Sequence, residues 1–362
     1  MNPTAVSRRS LLTAVSGAAA LTLLAACGSD DASSSGSSGA ATDAASAAGT
    51  ADASAAVSGA PANLPAGWTW AEGTGIPSTT ATQSLPVTVT DGTGTEVEVT
   101  DTSKIIVGGE DVADILAALG MADSIYAAPT NSVAQAALDA PEQYEYSQKT
   151  GAEGLLSLKG TLFIGNNVKR HGDVAVKFRE AGVDAVVVDD QQSVADKIRA
   201  VAEYVGAADA GEELAGTVES QLEEATTAAG DGAVGLKVLA VTASGAGGAN
   251  AVIGSGTAAA DMLEAVGATS VGVEEGLTGY SVKYSDEGLL ATEPDVILMG
   301  DGDLEEWGGL EGFLEAFPTL SQTPAGTDNA FVVMPSEQIK VSGVGVGAGA
   351  KALAQALTDL AK

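Results

Sequence analysis

Apolar and polar residues follow one another along this chain in patterns that predict strands followed by helices. Residues 85–99 alternate on both sides of Asp91-Gly92-Thr93-Gly94, which predicts a β-hairpin. The apolar run at 104–107 predicts a buried strand. Residues 110–119 place apolar side chains on one face before Gly120, which predicts a helix and its end.

The alternation of strand and helix continues after this helix. We expect a strand within residues 157–164, a helix near 173–181 and a strand at 185–188. Short apolar strands that alternate with helices form small, mostly parallel sheets with helices on both faces. The first half of the chain therefore predicts one α/β lobe.

Two helices with no strand between them follow this lobe. Ser193 and Asp196 predict a cap for the first helix, which runs to about residue 205. Asp209 and Glu212 predict the start of the second helix, which runs to about residue 229. The apolar face of the second helix consists of Leu214, Val218, Leu222 and Ala225. About 20 residues make a rod of roughly 30 Å, so this helix predicts a stiff link that limits how far two lobes can close.

Strands and helices resume after this link. We expect strands at residues 236–241, 296–299 and 331–334, a helix at 257–266 and a last helix that runs to residue 362. These elements predict a second α/β lobe.

A four-residue phrase occurs once in each lobe. Glu153-Gly154-Leu155-Leu156 and Glu287-Gly288-Leu289-Leu290 each precede a turn and an apolar strand at equal spacing. A repeated helix–turn–strand unit indicates two similar lobes, each with one glutamate at an equivalent surface position. The alternative is chance, since glutamate and leucine are common residues.

The first 26 residues have the features of an export signal. Arg8-Arg9 precede an apolar run that is too short for a comfortable membrane span, and Leu24-Ala25-Ala26-Cys27 is a lipoprotein cleavage pattern. We therefore expect Cys27 to be the lipidated N-terminus of an exported protein on the outer face of the cytoplasmic membrane. A free thiol behind an uncleaved anchor is the alternative. Residues 7–12 also resemble a twin-arginine signal, so the export route stays open.

Residues 28–60 are almost entirely small or polar and predict a flexible tether that reaches roughly 30 Å. We divide the chain into a signal peptide (1–26), a lipid-anchored low-complexity linker (27–67), a first lobe with its leading hairpin (68–206), a linking helix (207–231) and a second lobe (232–362).

Charge and composition exclude several classes of function. The chain carries 16 Lys+Arg against 48 Asp+Glu, a net charge of −32, which argues against nucleic-acid binding and against adsorption to anionic lipid. His171 is the only histidine and Cys27 the only cysteine, and neither a Gly-x-Ser-x-Gly elbow nor a phosphate-binding loop is present. We therefore expect neither an enzyme nor an internal disulfide.

The chain resembles the substrate-binding lipoproteins of ABC importers for iron complexes, heme and cobalamin, over about residues 84–360. The resemblance rests on residues 87–94 leading to 104–107, on both Glu-Gly-Leu-Leu segments, on residues 293–298 and on 320–326. Residues 152–159, 256–261 and 322–326 are most similar to the heme-binding branch. The resemblance implies an α/β fold of two Rossmann-like lobes joined by a single long backbone helix, the class III periplasmic-binding-protein arrangement.

The family also implies roles for particular residues. One glutamate on each lobe contacts the permease, here Glu153 and Glu287, and two fixed charges can register the spacing of two lobes. The alternative role for each glutamate is a solvated helix start. The implied ligand-binding candidates are His171, Tyr280, Tyr146, Arg170, Lys169, Lys149 and Lys283.

Of these candidates, His171 and Tyr280 could bind heme iron, because ferric heme takes an imidazole nitrogen or a tyrosine oxygen. We expect His171 to lie in a loop after a strand and Tyr280 to face it from the other lobe. Either ring could instead be packed or exposed.

Two departures from the heme-binding pattern stand out. Gln148 stands where some members place an axial histidine, and Thr242-Ala243-Ser244 stands where they place Tyr-x-Arg. The resemblance therefore implies an exported, monomeric solute-binding lipoprotein that takes an iron complex, with heme favoured, to an ABC permease and its ATPase. A ferric siderophore or cobalamin as cargo, or a sensor or adhesion module on the same fold, remains an alternative. No intrinsic cofactor is expected.

Overall fold

The structure of the chain is a computed structural model that describes residues 59–145, 151–245, 249–282 and 285–362. The predicted signal peptide, Cys27 and most of the predicted linker lie outside these residues. No helix within the described ranges is long and apolar enough to cross a membrane.

The first half of the chain forms an antiparallel hairpin and a parallel sheet. The strands are β1 (Thr69–Trp70), β2 (Val87–Thr90), β3 (Glu96–Val99), β4 (Ile105–Val107), β5 (Ile125–Pro129), β6 (Glu142–Tyr144), β7 (Leu162–Gly165) and β8 (Asp184–Val187). β2 and β3 pair as the predicted hairpin, and five parallel strands follow the order β6-β5-β4-β7-β8. Strands β4 and β7 are buried along their whole length, as expected when helices cover both faces of a parallel sheet.

The described residues of this half and of the link form six α-helices. They are α1 (Glu110–Ala118), α2 (Gln135–Leu138), α3 (Ala152–Leu156), α4 (Val168–Glu180), α5 (Val194–Tyr204) and α6 (Ala208–Ala229). Helix α1 ends before Gly120, whose positive φ of 74° suits glycine. Helix α4 begins about five residues earlier than predicted. The side chain of Asn167 accepts a hydrogen bond from the Arg170 amide and caps it.

The second half forms the other sheet. Its strands are β9 (Lys237–Thr242), β10 (Ala251–Ile253), β11 (Thr269–Ser270), β12 (Tyr280–Ser281), β13 (Val296–Gly300) and β14 (Phe331–Met334). Its helices are α7 (Ala258–Ala265), α8 (Val271–Glu274), α9 (Asp286–Thr292), α10 (Asp301–Glu306), α11 (Leu310–Ala316), α12 (Pro324–Thr327), α13 (Ser336–Lys340) and α14 (Val346–Leu360). The strand order is β1-β14-β13-β9-β10-β12, with β11 beside β9.

The edge strand β1 differs from the sequence-based division, which places residues 68–206 in the first lobe. Thr69 and Trp70 pair in parallel with β14 of the second sheet, and the Trp68 ring stacks on Phe331 at 4.2 Å. The chain then crosses to the first lobe, where the Thr79 amide donates to the Ala118 carbonyl. The two lobes are therefore connected by this extended crossing as well as by α6.

Helix α6 has 22 residues, which corresponds to about 33 Å. Leu214, Val218 and Ala225 of its predicted apolar face are buried, and Leu222 is partly buried. One apolar cluster contains residues of both sheets together with this face, so the two lobes share a core along α6. The predicted acidic start of α6 does not cap it, because Ala207 is the N-cap and Glu212 pairs with Arg199 of α5 at 2.8 Å.

The repeated phrase folds into the same local structure twice. Glu153 lies in α3 and Glu287 in α9, and both are exposed. Six residues after each glutamate, Lys159 and Glu293 have left-handed backbones with φ of 58° and 46°. The two segments thus have the same backbone conformation three residues before each strand, although the residue there is lysine in one segment and glutamate in the other.

Matched hydrogen bonds extend this repeat to the neighbouring strand. The Thr161 amide donates to the Lys104 carbonyl at 2.8 Å, and the Asp295 amide donates to the Lys237 carbonyl at 2.8 Å. In return, the Thr161 hydroxyl accepts from the Lys104 amide at 3.1 Å, and the Asp295 carboxylate accepts from the Lys237 amide at 2.8 Å. The two helix–turn–strand segments therefore share their turn conformation and their contacts with the neighbouring strand.

Replacement of the left-handed residues should stabilise the protein. A side chain with a Cβ is disfavoured in this conformation by about 1–2 kcal/mol, while glycine gains entropy in the unfolded chain. We expect Lys159→Gly and Glu293→Gly each to raise the free energy of unfolding by roughly 0.5–1 kcal/mol, as measured by urea unfolding. Lys177→Gly, in the exposed interior of α4, is the matched control and should lower it by about 1 kcal/mol. A loss of stability in either left-handed variant would contradict the assigned turns.

Candidate functional site

Ligands of open parallel sheets bind outside the carboxyl ends of the strands. In the first lobe, Glu110 and Asp111 begin α1 directly after β4, and Asn166 follows β7. In the second lobe, Asp303 follows β13. Hydrogen bonds connect the two groups of elements, so the carboxyl ends of both sheets meet at one junction between the lobes.

The second lobe contributes a buried ion pair to this junction. The side chain of Asp303 is 0% exposed and accepts the Lys340 ammonium at 2.7 Å. The same carboxylate oxygen accepts the Thr242 hydroxyl at 2.8 Å and the Ala243 amide at 2.9 Å. Lys340 also donates to the Ser244 hydroxyl at 3.1 Å. Thr242-Ala243-Ser244, where the family pattern places Tyr-x-Arg, therefore belongs to a hydrogen-bonded network around Asp303.

The first lobe contributes three carboxyl groups from the first two turns of α1. Glu110 accepts the Val133 amide at 2.7 Å, and Asp111 accepts the Asn166 side-chain amide at 2.8 Å. Burial is the main cause that raises the pKa of both groups. Asp114, the third, lies one turn further along α1.

Two contacts cross directly from one lobe to the other. The Val344 amide, before α14, donates to the Asp114 carboxylate at 2.8 Å. The Gln135 amide, at the start of α2, donates to Glu337 of α13 at 3.1 Å. Burial raises the pKa of Asp114 to about 7, and the charges of Glu337, Asp111 and Glu110 add to the effect. Burial also raises the pKa of Glu337.

Tyr280 lies in β12 at this junction, on the second lobe as predicted. Its hydroxyl donates to the Lys340 carbonyl at 3.3 Å, and its ring packs against the shared core. Burial raises the pKa of its phenol, with further contributions from Glu110 and Asp303. The phenol is therefore protonated at neutral pH.

His171 occupies a different position from the predicted loop. It lies in the first turn of α4 and is 4% exposed. Its Nδ1 accepts the Asn166 amide at 3.1 Å, and its ring meets the edge of Phe163 at 5.7 Å. Burial lowers the pKa of His171 to about 4, assisted by the charge of Arg170. The prediction of a loop position was wrong because Asn167 caps a helix two residues after β7.

The remaining predicted ligand-binding residues divide into two groups. Lys169 and Arg170 are exposed in the first turn of α4, beyond the carboxyl end of β7. Tyr146, Lys149 and Lys283 lie outside the described residues. Gln148, which stands at the family's axial position, lies outside them as well.

Most residues of the junction were not predicted from the sequence. Asp303 and Glu110 each follow a predicted strand, and this position is the signal that could have identified them. Lys340 and Glu337 lie on the short helix α13, which has no strong periodic pattern. No group of three or more His, Cys, Asp or Glu side chains in the described ranges is arranged to hold a metal ion directly.

Comparisons with known proteins agree with this arrangement. A profile of the family described as periplasmic binding protein matches residues 105–338, which is more than half of the chain. The periplasmic heme-binding protein RhuT from Roseiflexus sp. RS-1 is 28% identical over 72% of this chain and 100% of its own, with a TM-score of 0.63. No curated protein matches the sequence.

Two other solved structures are similarly close. The heme-binding protein HmuT is 28% identical over 80% of this chain and 97% of its own, with a TM-score of 0.66. BhuT, a periplasmic heme-binding protein solved with two hemes, is 27% identical over 72% of this chain and 99% of its own, with a TM-score of 0.60. Two lobes with a shared helix, a junction at the carboxyl ends of both sheets and the matching profile lead to one conclusion. This chain belongs to the periplasmic binding protein family.

Proposed function

We propose that this protein is the solute-binding lipoprotein of an ABC importer, that it captures heme between its two lobes, and that it delivers the heme to a permease and its ATPase. The observation that carries this proposal is the likeness to three heme-binding proteins over almost their entire lengths. Such a protein binds and releases its cargo without chemical change, so no catalytic group is required.

Tyr280 is the better supported of the two candidate iron ligands. It lies on the second lobe within the junction, and a tyrosine oxygen is an established ligand of ferric heme. Its phenol is protonated and loses its proton when it binds iron, so iron has to compete with a raised pKa. The buried His171 ring packs against Phe163 within the first lobe, and its Nδ1 accepts the Asn166 amide. We therefore assign it a supporting role for the backbone at Asn166.

The propionates of heme require cationic partners. Lys169 and Arg170 are exposed beyond β7, where they could approach a cargo that enters the junction from the first lobe. The second lobe provides the Lys340 ammonium, which already has Asp303 as its partner. Lys169 and Arg170 of the first lobe, together with Lys340 of the second, are therefore the described cations that we expect to attract an acidic cargo.

Docking on the permease is assigned to Glu153 and Glu287. Both are exposed, and both occupy the same position in the repeated helix–turn–strand unit. Two equivalent charges on two lobes that share a core present a fixed spacing to a partner with matching cations. Lipidation of Cys27 and the tether would hold the protein near that partner at the membrane surface.

A titration with hemin tests the cargo. We expect the wild-type protein to give a saturable change in the visible absorption of the porphyrin. Tyr280→Phe removes the hydroxyl while keeping the ring, and should weaken hemin binding by about tenfold or more if it supplies one ligand bond.

His171→Ala is the matched control for this titration. It should leave the absorption spectrum of bound hemin unchanged, although the deletion of a packed ring should lower the free energy of unfolding by about 2–4 kcal/mol. Absence of any saturable change with wild-type protein would remove heme as the cargo. A normal spectrum in Tyr280→Phe would remove Tyr280 as a ligand.

Uptake measurements test docking. We expect Glu153→Ala and Glu287→Ala each to reduce cargo uptake into cells, and the double variant to reduce it further, because each removes one charge contact with the permease. Cargo affinity of the purified variants should not change. Glu180→Ala and Glu311→Ala, at other exposed sites on the two lobes, should leave uptake at the wild-type rate. Normal uptake by the double docking variant would exclude this surface.

A further inference from the structure

Carboxyl groups from both lobes are concentrated where the lobes meet. The first lobe contributes Glu110, Asp111 and Asp114, and the second contributes Asp261, Asp303 and Glu337. Asp303 has a direct ion pair with Lys340. Lys197 is buried in α5 and lies near Asp111 and Asp261 without a direct ion pair to either. The junction therefore holds more acids than bases.

Asp114 combines an enclosed carboxyl group with a hydrogen bond to the opposite lobe. Its residue surface is only half-buried, but its carboxyl group is enclosed and accepts the Val344 amide of the opposite lobe. The enclosed carboxyl is what matters here, because the charge resides on it. A neutral carboxyl still accepts this hydrogen bond through its carbonyl oxygen. The Val344 amide by itself favours the charged form and lowers the pKa of Asp114, but burial and the neighbouring acids outweigh it. Protonation therefore removes the cost of a buried charge without breaking the contact.

We propose that Asp114 is a proton-dependent latch between the lobes, so that the closed arrangement takes up a proton and lobe separation releases it. This inference concerns regulation of the cleft and rests on the proposed function only for its biological meaning. As the lobes part, the Val344 amide leaves and water reaches the carboxyl group. The carboxyl then ionises at lower pH than in the closed arrangement.

The charged groups around α1 favour uptake of a proton by the closed arrangement. Helix α13 presents Glu337 and Lys340, and helix α10 presents Asp303; helix α5 presents Lys197 and β12 presents Tyr280. Lys340 and Lys197 act on Glu110 and Asp111 respectively. The acids that raise the pKa of Asp114 come from α1 itself and from α13.

The other elements packed against α1 add little. Helix α2 has Asp139 at its end, which is exposed and accepts the Gln135 side chain. Strand β5 carries Tyr126, whose ring lies under Lys104. The turn Ala122–Ser124 carries the exposed Asp123. None of these is a cause of the raised pKa of Asp114.

The sign of the pH dependence follows from these shifts. The pKa of Asp114 is about 7 in the closed arrangement and close to its ordinary value of about 3.9 once the group meets water. The stabilisation of the closed arrangement by protonated Asp114 is therefore fully present below about pH 4. It is lost as the pH rises to about 7. Each unit of pKa difference corresponds to a tenfold change in proton affinity, so we expect the closed population relative to the open one to fall by at least about tenfold between pH 5 and pH 7.

The test measures the distance between the lobes without any cargo. The exported chain carries Cys27→Ser, together with Lys177→Cys on the first lobe and Glu311→Cys on the second, both exposed positions. The two cysteines are labelled for single-molecule energy transfer. We expect the inter-lobe distance to lengthen from pH 5 to pH 8 in the otherwise wild-type protein. Asp114→Asn, which keeps the shape and stays neutral, should remain short at both pH values.

Asp173→Asn, an exposed carboxylate on α4, is the matched control and should follow the wild type. An unchanged wild-type distance, or an Asp114→Asn protein whose distance changes as in the wild type, would overturn the latch.

If Asp114→Asn does not fold, hydrogen exchange of the Val344 amide in the wild-type protein provides the test. Its protection, corrected for the intrinsic rate, should fall by about tenfold or more from pH 5 to pH 7, and constant protection would overturn the proposal. Failure of hemin binding would leave these outcomes unaffected, so the two proposals can fail separately.

Discussion

The packing of α6 against both lobes is the constraint on which the rest of the structure depends. Its buried face continues the core of the first sheet into the core of the second, and the extended crossing between β1 and β2 adds a second connection. Because the interior is closely packed, a wide opening would expose part of that shared core. The shared core therefore favours limited movement of the lobes relative to one another, and the groups at the junction bias that movement.

The junction contains an unusual concentration of charge for a protein interior. Burial of an ionised carboxylate is costly unless it is paired or hydrogen-bonded. Asp303 meets this requirement with an ammonium, a hydroxyl and a backbone amide. The carboxyl group of Asp114 accepts a backbone amide of the other lobe, and burial raises its pKa although that hydrogen bond lowers it. The same interface thus contains one carboxylate that fixes local structure and one carboxyl group that can exchange a proton. In a cleft that admits and releases a cargo, the first can hold the local structure while the second responds to opening and closing.

The two glutamates and the two left-handed turns have one origin. A repeated sequence phrase folds into a repeated helix, turn and strand, so the exposed side chain at the start of each helix takes the same position on each lobe. The shared core then fixes the separation of these two side chains. A partner that contacts both charges would therefore sense the relative arrangement of the lobes, which links the surface that we propose for docking to the state of the cleft.

The sequence alone determined the α/β class, the hairpin, α1, α5, the long α6 and the repeated unit, because each depends on local periodicity and on short-range caps such as Ser193. It placed Tyr280 on the correct lobe and kept Glu153 and Glu287 on the surface. Tertiary structure alone decided that β1 joins the second sheet, since pairing with β14 joins residues far apart in the chain. It also decided that His171 is buried within the first lobe, because the Asn167 cap places the start of α4 before this residue. The contact between Asp114 and Val344 could not be predicted from the sequence. The pattern of apolar residues indicates which face of a helix is buried, but it does not identify the distant backbone amide that contacts that face.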